Sequence, residues 1–347
     1  MDRFSWQSAR SVAEAATFAK RTVAEAMLAD PDKLPDADCV VLKAGGIDLL
    51  DLMKEGLLRP NRVVNLRALP GLDTIAEADD GMRIGAMVTL EQLAAHPGLR
   101  QRCTALADAA GSSGSPQIRH VATLGGNLLQ RPRCWYFRSA AHHCARKGGD
   151  HCFAFAGENQ YHAVFGHDGC AIVHPSTVAT ALVAFNARIE LVNAQGETRV
   201  VALAAFLVGP DVDVRRETDL RAGEVMTAVI LPPMAAGARS VFLKQAERAS
   251  SDWSVADVAV VLERGADGRC KSASIVLGAA APVPWRAQTA EAALTGKTID
   301  PAIAQGAGEA AIAGAQPLRH NAWKLPILST LVRRAVLRAA DVQETAQ

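Results

Sequence analysis

Short apolar runs alternate with polar breaks along the first hundred residues, at spacings that predict alternating helices and strands. Residues 11–28 carry apolar positions at helical spacing behind a Ser11 N-cap with Glu14 three residues on. This predicts one helix that ends before the breaker run DPDKLPDAD. CVVLKAGG follows as a β-branched strand closing on a glycine pair, and Leu49, Leu50, Leu52 and Met53 then mark an amphipathic helix up to Gly56. The unit reads strand, turn, helix. RVVNLRAL is the next strand. GMRIGAMVTLEQLAAHPGL predicts a strand and a short helix with Thr89 as N-cap, Gln92 closing a capping box and Pro97 just past its end.

From Gly111 to Gly126 the chain is rich in Gly, Ser and Pro and reads as a loop system around at most one short strand. Residues 131–171 follow neither period. Regular patterning resumes with the helix TVATALVAFNA and the strands of ARIELVNAQGETRVV, which turn at AQGE. A linker at PPMAAGAR precedes further strands, a hairpin at ADGR and Ala-rich helices to the end. The expected division is therefore 1–235 and 236–347, with 131–171 an insertion in the first unit.

Charge narrows the partners. The 37 basic and 36 acidic residues nearly cancel, which argues against an extended nucleic-acid footprint, and no apolar run reaches spanning length, so no membrane insertion is expected. The opening residues lack the apolar core of a secretory signal. The expected location is cytoplasmic, or periplasmic by co-export with a signal-bearing partner.

Of seven cysteines, Cys39, Cys103 and Cys270 are scattered and read as small core hydrophobes, whereas Cys134, Cys144, Cys152 and Cys170 gather in the unpatterned segment. Their separations of ten, eight and eighteen residues, without short C-x-x-C knuckles, suit either zinc or a [4Fe–4S] cluster. The same segment holds five of the nine histidines, and His162, set between aromatics, is the one expected to reach a cysteine sulfur. Two glycine pairs, Gly45–Gly46 and Gly125–Gly126, let the backbone approach a ligand closely. Beside the second pair, Thr123 and Asn127 offer polar side chains. Two such loops can face each other across one dinucleotide.

The segments KAGGIDLLDLMK, GAMVTLEQLAAHP, IRHVATLGGNLLQ, HPS at His174 to Ser176, RAGEVMTAVILP and FLKQAERASSDWSVADVAV bring the chain close to a known group. With them, over nearly its whole length, it resembles the FAD-binding medium subunits of the xanthine dehydrogenase and aldehyde oxidoreductase family of molybdenum hydroxylases. The resemblance implies an α+β fold. It consists of a two-part FAD-binding domain of the vanillyl-alcohol-oxidase (PCMH) type with a cysteine-rich insertion, and a small α/β C-terminal domain. It also nominates flavin contacts at Lys43, Ala44, Gly45, Gly46, Ile47, Asp48 and Leu49, at Thr123, Gly125, Gly126 and Asn127, and at Ser113, Thr177 and Lys244. Ile47 stands where threonine is common in the family, and Thr177 where an aspartate is usual.

A subset of the family, including periplasmic aldehyde oxidoreductases, carries a [4Fe–4S] cluster in such an insertion, so the resemblance turns the quartet towards iron and sulfide. No constellation reads as a hydroxylase active site. The resemblance implies catalysis on partners, with a large molybdenum-cofactor subunit oxidising substrate, a small subunit carrying [2Fe–2S] clusters, and FAD here passing electrons to an external acceptor. Aldehydes lead among the substrates. Two other classes are a zinc-stabilised assembly module without flavin and a stand-alone flavin oxidase.

Overall fold

The structure is a computed structural model that describes residues 1–28, 39–78 and 81–343. Strand β1 (Ser5–Ser8) leads into helices α1 (Val12–Phe18) and α2 (Val23–Ala26). Strand β2 (Val40–Lys43), helix α3 (Ile47–Lys54) and strand β3 (Arg62–Asn65) follow, and β1, β3 and β2 form a parallel sheet in that order. Parallel neighbours need a crossover, and α3 supplies the one between β2 and β3. In β3 the neighbours Val63 and Val64 feed two different cores on opposite faces, as strand alternation requires.

The expected single helix over residues 11–28 is broken. Ser11 caps α1 as expected, but the helix stops at Ala19, and Thr22 opens a second capping box with Glu25. A Thr that caps forward satisfies the N–H groups of a new helix rather than continuing the old one, which explains the break. The run DPDKLPDAD lies outside the described residues.

Strands β4 (Ile75–Ala78) and β5 (Gly81–Gly85) then lead to α4 (Leu90–Ala95), α5 (Pro97–Arg102), α6 (Thr104–Gly111), α7 (Pro116–Arg119) and α8 (Leu124–Leu128). The Thr89–Gln92 capping box is present at α4. Pro97 does more than follow that helix, since it is the first residue of α5, where its fixed φ and missing N–H suit the start of a helix. The Gly/Ser-rich stretch likewise holds two short helices, because Ser115 and Thr123 each cap the turn after them. Strand β6 (Arg188–Asn193), β7 (Thr198–Ala202), helix α11 (Leu203–Phe206) and β8 (Glu224–Leu231) follow α9 (Trp135–Arg138) and α10 (Thr177–Ala184). The second sheet is antiparallel, in order β4-β5-β8-β6-β7. Its central strand β8 is buried almost throughout, and α4, α6, α8 and α10 share its core.

The third sheet is antiparallel in order β12-β11-β10-β9, built from β9 (Arg239–Gln245), β10 (Ala256–Arg264), β11 (Cys270–Gly278) and β12 (Trp285–Arg286). Helices α12 (Gln288–Leu294), α13 (Pro301–Ile312) and α14 (Lys324–Ala339) complete the chain. Along β10, Ala256, Val258, Val260 and Leu262 pack towards these helices, while Ala259 turns to the core shared with α6 and α10. Helices and an antiparallel sheet segregated in this way make the fold α+β, as expected.

Between α8 and α10 the only regular pieces are α9 and one 3₁₀ turn over Ala145–Lys147. This segment is nonetheless packed. Phe137 and Cys144 enter the core beneath β2 and α3, and Tyr136 stacks on Phe153 at 5.9 Å. Among the described residues no helix is long and apolar enough to cross a membrane.

Candidate functional site

One cavity of about 770 Å³ lies between the parallel sheet and the second sheet. It brings together Ala44, Gly45, Gly46, Ile47, Asp48, Leu49, Ser113, Thr123, Gly125, Gly126, Asn127, Thr177 and Lys244, thirteen of the fourteen nominated contacts. Lys43 does not line it. Its ammonium bonds the Ala44 carbonyl at 3.2 Å and lies 5.6 Å from the centre of the Trp6 ring.

The two glycine loops meet. A Cβ on Gly45 would come within 2.3 Å of the Val121 carbonyl oxygen, so this glycine lets the loops touch. Gly46 has φ +88°, a left-handed conformation, and stands as the N-cap of α3 without any side-chain cap. The first-turn N–H groups of α3 are therefore open to an anion, at the positive end of the helix dipole. The Gly125–Gly126 pair is not a simple turn. It lies in the first turns of α8, where Thr123 Oγ1 accepts the Gly126 N–H at 3.2 Å and a Cβ on Gly126 would stand 3.8 Å from Ala44 Cβ.

Polar contacts tie the far wall. Ser113 Oγ and Thr177 Oγ1 are 2.6 Å apart, and Ser176, which caps α10, bonds the Asn127 side chain. Thr177 thus replaces the usual aspartate with a neutral group bonded inside the protein. Lys244 Nζ donates to the carbonyls of Ser112 at 2.9 Å and Asp252 at 2.7 Å, and burial holds its pKa below the ordinary lysine value.

Other lining residues were not foreseen. Arg131, Arg133, Glu217 and Trp253 all face the cavity, and Arg133 stacks on Trp253 at 4.9 Å. The single hint in the sequence was RPR immediately before Cys134, an adjacency that says nothing of direction. Asp48 organises these cations: one oxygen accepts the Arg131 backbone N–H at 2.8 Å, and the other accepts Arg138 at 2.6 Å and forms an ion pair with Arg133 at 2.8 Å.

The cysteine segment adjoins the cavity through this cluster. Cys152 and the Arg146 guanidinium hold the Cys170 thiol below its ordinary value, whereas burial pushes Cys134 up to about 11. Arg146 Nε lies 3.4 Å from Cys170 Sγ, and His162 Nε2 lies 3.2 Å from Cys134 Sγ, the sulfur contact expected of it. Burial lowers His162 to about 4, so its ring is neutral. Lys147 is near enough to Cys144 and Cys134 to feel their charge. Of the other histidines, His142 meets Ser139, His151 meets Asp150 and His167 meets the Gln316 carbonyl. Among the described residues no three His, Cys, Asp or Glu side chains converge tightly enough for a single metal ion. Cys39, Cys103 and Cys270 are buried as expected.

Comparison with known proteins gives this geometry a context. Residues 2–234 match a family model described as the FAD binding domain in molybdopterin dehydrogenase, and residues 241–339 match the CO dehydrogenase flavoprotein C-terminal domain. The chain is 34% identical over 346 residues to the aldehyde oxidoreductase FAD-binding subunit PaoB of Escherichia coli (strain K12), covering 99% of this chain and 100% of that one. It is 29% identical to the nicotine 6-hydroxylase medium subunit of Paenarthrobacter nicotinovorans, over 88% of this chain and 90% of that one. Among solved structures, a carbon monoxide dehydrogenase from Hydrogenophaga pseudoflava that lacks the Mo-pyranopterin moiety superposes with a TM-score of 0.71 at 27% identity, covering 98% of this chain and 97% of that one.

Proposed function

Because the chain belongs to the FAD-binding medium subunits of the molybdenum hydroxylases, we propose that it is the flavoprotein of a heteromeric aldehyde oxidoreductase, with a [4Fe–4S] cluster in its cysteine segment. The observation that carries the FAD contacts is the single cavity joining both glycine loops to Ser113, Thr177 and Lys244. Bound FAD takes up and releases electrons singly or in pairs, which lets it link iron–sulfur partners to an external acceptor. The chain's own residues bind and orient it. The open N-terminus of α3 would hold its pyrophosphate, the Gly45 contact keeps the loops closed, and Lys244 is held by two carbonyls in the cavity wall.

We assign the cysteine quartet to a cluster and not to a single zinc, a reading that rests on four cysteines gathered in one segment without periodicity and on the family subset it resembles. Donors suited to anionic sulfur surround them: Arg146 at Cys170 and His162 at Cys134, with Lys147 nearby. Bound there, the cluster supplies a one-electron centre and a core for a segment with little patterned apolar burial of its own. Residues 1–235 form the FAD unit on this reading and 236–347 the C-terminal unit. The large molybdenum subunit and the small [2Fe–2S] subunit are its partners, in the cytoplasm or co-exported to the periplasm.

Co-expression with candidate large and small subunits tests the assembly. Aldehyde-dependent dye reduction should require all three, and the same activity from this chain alone would overturn it. For the cluster, anaerobic wild type should hold about four iron per chain, and Cys152→Ser should lose iron and become protease-sensitive between residues 131 and 171. Stoichiometric zinc, or unchanged iron in Cys152→Ser, refutes the cluster.

A further inference from the structure

A carboxyl group is buried among the apolar residues of β10. Asp257, the second residue of that strand, is 1% exposed. In the antiparallel register it stands directly opposite Lys244 of β9 on one side and Gly278 of β11 on the other, so the three share one face of the sheet. That face meets α10, whose Thr180 hydroxyl lies beside the carboxyl. The glycine makes the space. A Cβ on Gly278 would come within 1.8 Å of Asp257 Oδ1 and 2.4 Å of Thr180 Oγ1, so no side chain can stand there. Burial also raises Asp257 to about 6, which makes its charge a burden on the fold. A costly carboxyl with room cleared for it marks a group in use.

Lys244 links this buried group to the cavity. Its ammonium has three N–H groups, of which the Ser112 and Asp252 carbonyls take two in the cavity wall. The carboxylates that face it are Asp257 and Asp252. Asp252 is shared, because its two oxygens accept Arg248 Nε and Nη2 at 2.8 and 3.0 Å. Asp257 in turn faces Lys244 across the strands and Lys324 from α14, while α10 and Ser254 bring only hydroxyls to it. Lys324 is itself buried against the His162 and Ala279 carbonyls, and burial lowers it to about 7. Above that pH, Lys244 is the cation left to Asp257. Burial works against a charged Lys244, and of the two carboxylates that oppose this Asp257 is the stronger.

We propose that Asp257 is a positioning residue for the flavin site: from directly opposite on the neighbouring strand it keeps the Lys244 ammonium charged, with its third N–H free for an acceptor atom of bound FAD. The proposal rests on the FAD reading and adds to it a residue that does not itself line the cavity. Its signature is a pair of opposite effects. Asn in place of Asp257 keeps the shape and removes the charge, so the fold gains stability while Lys244 loses its counter-ion and gives up its proton at lower pH. A carboxyl that served packing alone would move stability and cofactor affinity together. Where FAD engages the ammonium form, each unit of that shift weakens FAD about tenfold at pH above the Lys244 pKa and leaves it unchanged well below.

The test has two arms, both on the deflavinated full chain purified with whatever subunits accompany it. Trace acetylation with acetic anhydride across a pH series, read at Lys244 by mass spectrometry, gives the titration of that amine without any cofactor. Asp257→Asn should move its midpoint down by about one unit or more, the shift expected on losing an opposite charge at cross-strand distance. Asp252→Asn, whose carboxylate Arg248 already holds, should move it less. In the second arm FAD is titrated by flavin fluorescence. Asp257→Asn should raise the dissociation constant about tenfold near pH 10, leave it within about twofold near pH 6, and change nothing in a Lys244→Met background. A Lys244 midpoint within about 0.3 units of wild type overturns the proposal, as does a loss of FAD affinity that is equal at both pH values or persists in Lys244→Met. If Asp257→Asn yields no folded chain, Asp257→Ser, smaller and also uncharged, reads the same link under the same criteria. Wild type that binds no FAD while the Lys244 midpoint still shifts sinks the FAD reading and, with it, the role of the pair in the flavin site.

Discussion

Gly45→Ala isolates the contact that closes the cavity. The added Cβ would meet the Val121 carbonyl oxygen at 2.3 Å, and the Ala122 Cα at 3.1 Å, both backbone atoms of the opposite loop. Ordinary contact lies beyond about 3.4 Å, so the loops must part by roughly 1 Å or the backbone must distort; overpacking of this kind costs about 1–3 kcal/mol. On the proposed reading FAD needs both loops at once. If the bound state carries the whole cost, its dissociation constant rises about fivefold to 150-fold, since 1.4 kcal/mol is a factor of ten. The assay is flavin fluorescence titration of the deflavinated chain, with Gly56→Ala as control. Gly56 also has positive φ, at +72°, but only the tip of the Arg59 side chain lies near the added Cβ, so that variant should lose stability and not FAD affinity. A Gly45→Ala dissociation constant within about twofold of wild type would refute the argument that loop closure frames the site.

Three further outcomes are expected. Asp48→Asn strips charge from a carboxylate holding Arg133 and Arg138; breaking buried pairs costs about 3–5 kcal/mol. The remaining Arg138 bonds to the Pro132 and Arg131 carbonyls reduce this to about 2–3 kcal/mol, which a urea melt reads directly, and an unchanged midpoint argues against the cluster of cations. Phe137→Ala should cost about 3–5 kcal/mol, because the ring is fully buried with the Arg131 and Arg138 guanidiniums near it, and a loss below about 1 kcal/mol would mean that the site collapses. Asp257 is buried, and burial raises its pKa from 3.8 to about 6, so the folded state holds its proton more tightly than the unfolded state. Its burden on stability is absent below pH 3.8 and grows to about 3 kcal/mol as pH rises past 6. Asp257→Asn should therefore gain stability relative to wild type between pH 4.5 and 7.5, and a difference that does not change with pH would exclude this carboxyl as the cause.

What the sequence alone determined was local. The strand–turn–helix at Val40 to Lys54, the Thr89–Gln92 capping box and the hairpin between β10 and β11 each depend on residues within a few positions of one another. Their periodicity and caps therefore survive any tertiary context. The gathering of four cysteines was equally plain, because a segment without apolar periodicity needs some other source of order. The break at Thr22 was as local and was missed: its side chain caps forward to Glu25, three positions on, and restarts the helix. Tertiary structure decided the rest. Lys43 sits in the first glycine loop yet turns to Trp6, because strand alternation and not adjacency sets its direction. The contacts linking cavity to cysteines join Arg131 to Glu217 and Glu217 to Arg146, 71 positions away in the latter case. No spacing rule reaches that far: guanidiniums and carboxylates look alike along a chain, and only packing decides which of them lose their water and must find each other.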